Sequence, residues 1–270
     1  MFSEAGHGYR PNIEYRRREG KRRVSGPDPR LSKVVTAHSM IVAALSIVHS
    51  LRTQGLRRTL LFAALGNVIP LLGELLAVNA LKLLRHHVRP QVGGVPLGIV
   101  LAWYNVAYGT FAMMESILKA SAPHGDRRSW ALTPATALAA TSLDFLLDPV
   151  GLDLGLWQWS VDGQFAAEVE GPNGKRGVPL LNFAGWLGLT TGIALVYQRL
   201  SSDGAAGSSR ARAAGAGGPE AGRGAAFLLV SYYLPAAVWA TKGRMCEYLL
   251  YSAPITVALW AALKEHPSNP

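Results

Sequence analysis

The sequence has few cysteines and lacks the motifs of several common soluble enzyme classes. Its single cysteine, Cys246, excludes any intrachain disulfide. The apolar segments contain no Ser-His-Asp order, no His-Glu-x-x-His pair, no Walker motif and no Gly-x-Gly-x-x-Gly after a strand. Nothing therefore supports a hydrolase, a zinc protease or a nucleotide-dependent enzyme.

Acidic residues are also scarce, with 17 Asp and Glu against 27 Lys and Arg and a net charge of +10. A basic cluster in the N-terminal tail contains Arg16, Arg17, Arg18, Lys21, Arg22 and Arg23. No nucleic-acid-binding module accompanies this charge, so we expect no nucleic-acid partner. A basic cluster before a first apolar segment is typical of a cytoplasmic flank, which predicts a cytoplasmic N-terminus in a bacterial-type cell membrane.

Charged residues are rare in seven long apolar segments, whose lengths of roughly 18 to 24 residues suit a bilayer core. The predicted spans are 34–51, 59–81, 95–118, 130–147, 178–200, 225–241 and 245–263. The sequence therefore predicts an integral membrane protein with an all-α fold, a polytopic transmembrane helical bundle of about seven spans. Its cavity is expected among spans two to five.

The segments outside the spans are polar or small. We predict a disordered basic tail over 1–33, a transmembrane domain over 34–263 with a flexible Gly/Ala linker at 201–224, and a short tail over 264–270. The N-terminal tail is not a signal peptide, because the first apolar run starts too late and is too long.

Glu74 lies inside the second span, on one helical face with Asn67 and Pro70. A carboxylate at this depth costs a few kcal/mol unless it is protonated or paired. Lys82 and Arg85 are too far along the chain to pair with it. Glu74 is either a structural group bonded to neighbouring helices or a functional group that faces a cavity.

A basic linker follows the second span and contains Arg85, His86, His87 and Arg89. Adjacent histidines point in different directions on a helix, which disfavours a metal pair. We expect an interfacial loop with anionic headgroups as neighbours.

The third span carries Tyr104, Tyr108, Phe111 and Glu115 along one stripe. Such a stripe indicates either core packing or the wall of a cavity for a polar lipid. Glu115 lies close enough to the span end to be partly solvated, so we rank it below Glu74 as a catalytic candidate.

The fourth span ends with Asp144 and Asp148, which stack one turn apart on a helical face. Pro149 cannot continue a helix and disfavours helical geometry at Asp148, so we expect this carboxylate at a helix end beside an irregular loop. Trp157 and Trp159 follow in that loop, at a depth where tryptophan is enriched regardless of function.

The fifth span opens with Gly177, Val178 and Pro179, and it carries Asn182 and Trp186 one turn apart. Carboxyl groups and aromatic rings in a membrane suit two reactions on lipids. In the first reaction, paired aspartates bind Mg²⁺ and the diphosphate group of a prenyl diphosphate leaves. Aromatic faces then stabilise the allylic cation. Alternatively, a carboxylic acid in apolar surroundings protonates an isolated double bond and water captures the tertiary cation.

The order of these motifs resembles the carotenoid biosynthesis integral membrane protein family, which includes hydratases of carotenoid end groups and bisanhydrobacterioruberin hydratase. The similarity covers residues 73–191. It rests on an intramembrane Glu, a Val-Pro-Leu that opens the next span, Asp-x-x-x-Asp-Pro, Gly-Leu-Trp-x-Trp and Gly-Val-Pro-x-x-Asn-Phe-x-Gly-Trp. The family pattern falls on Glu74, Asp144, Asp148, Pro149, Trp157, Trp159, Gly177, Pro179, Asn182 and Trp186.

The resemblance implies a hydratase, a carbon–oxygen lyase without a cofactor or metal, that adds water to the terminal double bond of an acyclic carotenoid end. Either Asp144 or Asp148 is the implied general acid, and the other carboxylate with Asn182 orients water. Glu74 would tune or relay the proton. Trp157, Trp159 and Trp186 would flank the cation.

The expected partners are an acyclic-ended carotenoid, membrane lipid and other enzymes of the carotenoid pathway. Two alternatives stay open: a prenyl-transferring or elongating enzyme of the same pathway, and a carotenoid-binding membrane protein without catalytic activity. Only one Asp-x-x-x-Asp is present, whereas diphosphate chemistry usually uses two acidic motifs.

Overall fold

A computed structural model describes residues 28–121, 127–202, 219–242 and 247–264 of the chain. Several sequence predictions lie outside these described residues. They include the basic cluster between Arg16 and Arg23, Cys246, most of the predicted linker and the C-terminal tail after Lys264.

The described residues form an all-α bundle, which confirms the predicted fold class. The helices are α1 (Pro29–Gln54), α2 (Leu56–Leu75), α3 (Leu97–Ser121), α4 (Arg127–Asp153), α5 (Leu180–Ser202), α6 (Pro219–Lys242), α7 (Glu247–Tyr251) and α8 (Ala253–Lys264). Among the described residues, six helices are long and apolar enough to cross a membrane. The chain is therefore an integral membrane protein.

The seventh predicted span, 245–263, differs from a single crossing helix. The chain forms the short helix α7, breaks at Ser252 and continues as α8, which has 12 residues. A helix of this length is shorter than the roughly 20 residues that cross a bilayer core. Pro254 lies in the first turn of α8, where proline is tolerated because its missing N–H has no helical acceptor.

Two helices begin earlier than the sequence predicts. Helix α1 starts at Pro29, inside the predicted disordered tail, because the Asp28 carboxylate accepts a hydrogen bond from the Arg30 N–H at 2.8 Å and caps the helix. Helix α6 starts at Pro219, inside the predicted linker. Its Gly224 packs against the imidazole of His49 in α1, where a Cβ would approach ring atoms to 2.7 Å.

Three small antiparallel sheets, which the sequence analysis does not predict, cover one end of the bundle. Their strands are β1 (Leu84–His86), β2 (Gln91–Val92), β3 (Val95–Pro96), β4 (Trp157–Trp159), β5 (Phe165–Glu170) and β6 (Arg176–Val178). Strand β1 pairs with β4, β2 with β3, and β5 with β6. The first β pair joins the α2–α3 connection to the α4–α5 connection, with Leu84 opposite Trp159 and His86 opposite Trp157.

The beginning of α1 lies at the same end of the bundle as these strands. Thr36 in α1 donates its hydroxyl hydrogen bond to the Arg89 carbonyl at 3.0 Å, and the Arg89 N–H donates to the Ser32 hydroxyl at 2.8 Å. Helices α3 and α4 are the most deeply buried spans, whereas less than a third of the most apolar stretch of α1, α2 and α5 is buried. The bundle therefore surrounds α3 and α4 with helices that face lipid.

Strand β4 lies against the last turns of α4 because Gly151 has no side chain. A Cβ at this position would overlap the indole ring of Trp157. The close approach brings the Trp157 Nε1–H to the Asp148 Oδ1 atom, to which it donates a hydrogen bond. Gly151 is therefore required for the contact between the strand and the helix.

We expect the Gly151→Ala variant to lose about 1–3 kcal/mol of stability, because the added methyl group must displace Trp157. Thermal unfolding of the purified protein in detergent measures this loss. The Gly151→Ala/Trp157→Ala double variant should lose less than the sum of the two single changes, because the overlap is removed.

Gly188→Ala in α5 is the matched control, because no atom lies within 4 Å of its Cβ position. Alanine is favoured over glycine inside a helix by roughly 0.5–1 kcal/mol, so this variant should be at least as stable as the unmodified chain. Equal stability of the two glycine variants would contradict the packing described for Trp157.

Candidate active site

Asp144 and Asp148 lie one helical turn apart on the inner face of α4 and are only 4% and 3% exposed. Helix α4 continues through Pro149 to Asp153, so the expectation that Asp148 ends the helix is wrong. Proline is tolerated inside membrane helices where local adjustments and neighbouring groups satisfy the freed carbonyl. Both carboxyl groups are therefore presented from a continuous helix.

The side-chain amide of Asn182 bridges the two aspartates. Its Nδ2 atom donates to Asp144 Oδ2 and to Asp148 Oδ2, each at 2.7 Å. A carboxylate only accepts hydrogen bonds, so the NH₂ group of the amide must face the pair. Because Asn182 lies in the first turn of α5, this bridge also fixes the start of α5 against α4.

Asp148 receives a second donor, the indole N–H of Trp157 in β4. Both of its oxygens therefore accept hydrogen bonds from nitrogen. Asp144 differs, because its Oδ1 atom accepts no hydrogen bond from any described residue. The two aspartates share a bridge but have unequal surroundings.

Glu74 lies near the end of α2 and is held by two donors from different elements. His86 Nε2 forms a hydrogen bond with Glu74 Oε2, in which the Nε2–H tautomer of His86 is the donor to a carboxylate, and the Trp103 indole N–H donates to Glu74 Oε1, both at 2.9 Å. The side chain of Glu74 is 11% exposed and that of His86 is 2% exposed. These contacts supply the partner that an intramembrane carboxylate requires.

The inward position of His86 is a correction to the sequence analysis, which expects it in an interfacial loop beside headgroups. Strand β1 alternates, so Leu84 and His86 are buried while Arg85 is exposed. In the sequence, the alternation of an apolar, a charged and an aromatic polar residue at 84–86 is the pattern that could have predicted this strand. Trp103 is not among the residues predicted from sequence, because the predicted stripe on the third span begins at Tyr104.

The three carboxyl groups line one small cavity of about 90 Å³. His86, Asn182 and apolar residues from α3 and α4 complete its wall. Its aromatic residues are Trp103, Trp157, Trp159 and Trp186. The rings of Trp103 and Trp186 stack with centroids 3.5 Å apart and an angle of 17° between their planes.

The structure thus brings together seven of the ten residues proposed from sequence. They are Glu74, Asp144, Asp148, Trp157, Trp159, Asn182 and Trp186. Tyr104 and Tyr108 lie outside this cavity and pack their rings against Phe62 in the helix core. The Tyr108 hydroxyl also forms a 2.7 Å hydrogen bond with His49 Nδ1.

Glu115 also lies outside the cavity. It forms an ion pair with Lys119 one turn along α3, at 2.9 Å. A substrate contact for Tyr104, Tyr108 or Glu115 stays a prediction.

Three carboxyl groups and a histidine in one cavity are potential metal ligands. Among residues 28–121, 127–202, 219–242 and 247–264, no group of three or more His, Cys, Asp or Glu side chains is arranged to hold a metal ion. What the cavity offers chemically is a hydrogen-bonded carboxyl pair, a third carboxylate and several aromatic faces. These groups suit proton transfer to a substrate and stabilisation of a cation.

Comparisons with known proteins agree with the motif resemblance. No curated protein and no solved structure matches the chain. A family model described as "Carotenoid biosynthesis protein" matches residues 33–261, which covers all the site residues and most of the sequence. The chain therefore belongs to the carotenoid biosynthesis protein family.

Proposed function

We propose that the protein is a hydratase that adds water to the terminal double bond of an acyclic carotenoid end and produces a tertiary alcohol. The observation that carries the proposal is the pair of buried aspartates bridged by Asn182 in a cavity lined by tryptophan. This arrangement supplies an acid, a base and aromatic faces at one point. Family membership supports the pathway to which the reaction would belong.

Asp144 is the proposed general acid. Nitrogen donors on both oxygens stabilise the carboxylate form of Asp148, whereas Asp144 has one oxygen without a donor among the described residues. A proton on Asp144 Oδ1 therefore displaces no hydrogen bond from a described residue. The pair titrates as a unit, and the unequal donors favour the proton on Asp144.

Protonation occurs at the double-bond carbon that bears one hydrogen, so the positive charge develops on the carbon that bears two methyl groups. This tertiary cation is the more stable of the two alternatives. The stacked indoles of Trp103 and Trp186 line the cavity and offer aromatic faces to the cation. A cation over an indole face gains about 0.5–2 kcal/mol, and more where water is excluded.

Water completes the addition. Asp148 accepts the proton that the attacking water loses, while the Asn182 carbonyl oxygen orients that water. Proton exchange with water in the cavity then restores the acid form of Asp144 and the carboxylate of Asp148. The step forms one C–O bond and one C–H bond, removes one double bond and consumes one water per carotenoid end.

Glu74 is proposed to tune the charge of the cavity rather than to donate its own proton. Both of its oxygens accept hydrogen bonds, from His86 and Trp103, which stabilises the carboxylate form. A fixed negative charge beside the aspartate pair favours a cation in the substrate. His86 is therefore a positioning residue for Glu74.

We also propose an orientation of the protein in the membrane and an association with other enzymes. A cytoplasmic N-terminus in a bacterial-type cell membrane would put the strand-covered end of the bundle, and with it the active site, near the cytoplasmic face. Carotenoid precursors are themselves membrane-bound, which favours association with other enzymes of the pathway.

Replacing the aspartates should abolish the reaction. In a host that accumulates an acyclic-ended carotenoid, Asp144→Asn and Asp148→Asn should each lower hydration about 10²–10⁴-fold, because acid or base catalysis is lost. Liquid chromatography with mass spectrometry detects products that are heavier by one or two waters.

Asp153→Asn is the matched control, since Asp153 lies on the same helix, is exposed and accepts a hydrogen bond from Trp239 at 2.9 Å. It should retain full activity. Full activity in the Asp144→Asn/Asp148→Asn variant would contradict the assignment. Pigments that gain prenyl units, with a requirement for Mg²⁺, would support the prenyl-transfer alternative, and bound but unchanged pigment would support the non-catalytic one.

Removing the His86 donor should reduce the rate without abolishing it. A hydrogen bond to a charged group contributes about 1.5–3 kcal/mol, so His86→Leu should lower the turnover number about tenfold or more. Steady-state conversion in detergent or liposomes measures this change.

His86→Gln should restore part of the activity, because a glutamine amide can donate to Glu74. The control is His87→Leu, since His87 is the next residue along the chain and does not line the cavity. It should leave the rate unchanged. An inactive His86→Gln variant that folds normally would contradict a positioning role for His86.

A further inference from the structure

A second, larger cavity adjoins the acidic one. It has a volume of about 690 Å³, within the range of about 300–1,000 Å³ that is typical of ligand sites, and it lies between the end of α2 and the start of α5. The two cavities share six lining residues: Glu74, Leu84, Trp103, Trp159, Asn182 and Trp186. We call this larger cavity the α2–α5 groove.

The rim of the α2–α5 groove is apolar and faces the bilayer. Leu76, Leu180 and Leu181 line the groove, and each is more than half exposed although it belongs to a predicted membrane-crossing segment. Exposed leucines on a membrane-spanning helix contact lipid tails. The groove therefore opens sideways between α2 and α5, on an apolar surface that suits contact with lipid.

The backbone of α2 changes form where it borders the groove. After Leu75 the helix continues as a π-helix over Leu76–Ala80, whose Leu76 and Ala77 line the groove. π-Helical turns within α-helices occur frequently at functional sites. Asn79 stabilises this turn by donating to the Leu75 and Gly93 carbonyls at 3.2 and 2.9 Å.

Two glycines determine the space between the helices. At Gly73, α2 approaches α5 so closely that a Cβ would lie 3.0 Å from the Leu189 side chain. One turn earlier on α5, Gly185 lines the groove and has no atom within 4 Å of its Cβ position. Gly185 therefore leaves open space beside the stacked indoles of Trp103 and Trp186.

We infer that the α2–α5 groove binds the linear polyene chain of the substrate, which enters sideways from the bilayer with its terminal double bond foremost. The inference rests on the proposed hydratase function. A lipid acyl chain also suits an apolar groove, but its saturated methyl end gains little from carboxyl groups and indole faces. An isoprenoid end with an isolated double bond is complementary to both the groove and the acidic cavity.

Gly185→Trp tests the inference, because an indole at this position would occupy open space in the groove that the polyene chain needs. The variant is expressed in a host that accumulates an acyclic-ended carotenoid, purified in mild detergent and analysed for bound and converted pigment. We expect at least a tenfold loss of both. Gly188→Trp is the control, since Gly188 lies on the same helix with open space and does not line the groove. It should bind and convert pigment normally.

A second variant distinguishes pigment binding in the groove from the reaction at the aspartates. Asp144→Asn/Asp148→Asn should retain bound pigment and lose conversion. If the unmodified protein binds the carotenoid through the groove but never hydrates it, the proposed function fails while the groove assignment stands. Should Gly185→Trp not fold, as judged by size-exclusion chromatography, Gly185→Leu provides a smaller obstruction. Normal binding and conversion in the folded Gly185 variant would overturn the inference.

Discussion

The arrangement of this protein depends on the cost of burying carboxyl groups in an apolar helix bundle. Each such group needs nitrogen donors, and these come from four different elements. Asn182 in α5 bridges Asp144 and Asp148, and Trp157 in β4 donates to Asp148. Glu74 is held by Trp103 in α3 and by His86 in β1. Satisfying three carboxyl groups therefore fixes helices and strands relative to one another at one end of the bundle.

The same requirement explains why strands occur in a helical membrane protein. The β1–β4 pair carries both His86 and Trp157. One short strand pair therefore supplies a hydrogen-bond partner to Glu74 and another to Asp148. The cavity then meets the α2–α5 groove through the stacked indoles of Trp103 and Trp186. An apolar channel that ends in a small acidic pocket is suited to a long hydrocarbon whose reactive bond lies at its end. In our account, binding depends on the groove and chemistry on the pocket.

Much of this architecture was predictable from sequence because the membrane imposes strong patterns. Long apolar segments specify the helices, and acidic residues inside them indicate a candidate site, so the three carboxyl groups that line the cavity, Glu74, Asp144 and Asp148, could be selected from the sequence. Contacts between distant segments could not be predicted. His86 was assigned to a headgroup-facing loop because the strand pairing that turns it inward depends on residues about 70 positions later. Pro149 suggested a helix end, but the helix continues through it to Asp153.

The most direct test of the account is the origin of the oxygen in the product. The purified protein, reconstituted in liposomes, is given an acyclic-ended carotenoid in water labelled with heavy oxygen, and the product is analysed by mass spectrometry. The account predicts one labelled hydroxyl group per modified end and loss of that product in Asp144→Asn/Asp148→Asn. A hydroxyl group whose oxygen comes from molecular oxygen, or a carotenoid that is bound yet unchanged, would contradict hydration at the aspartate pair.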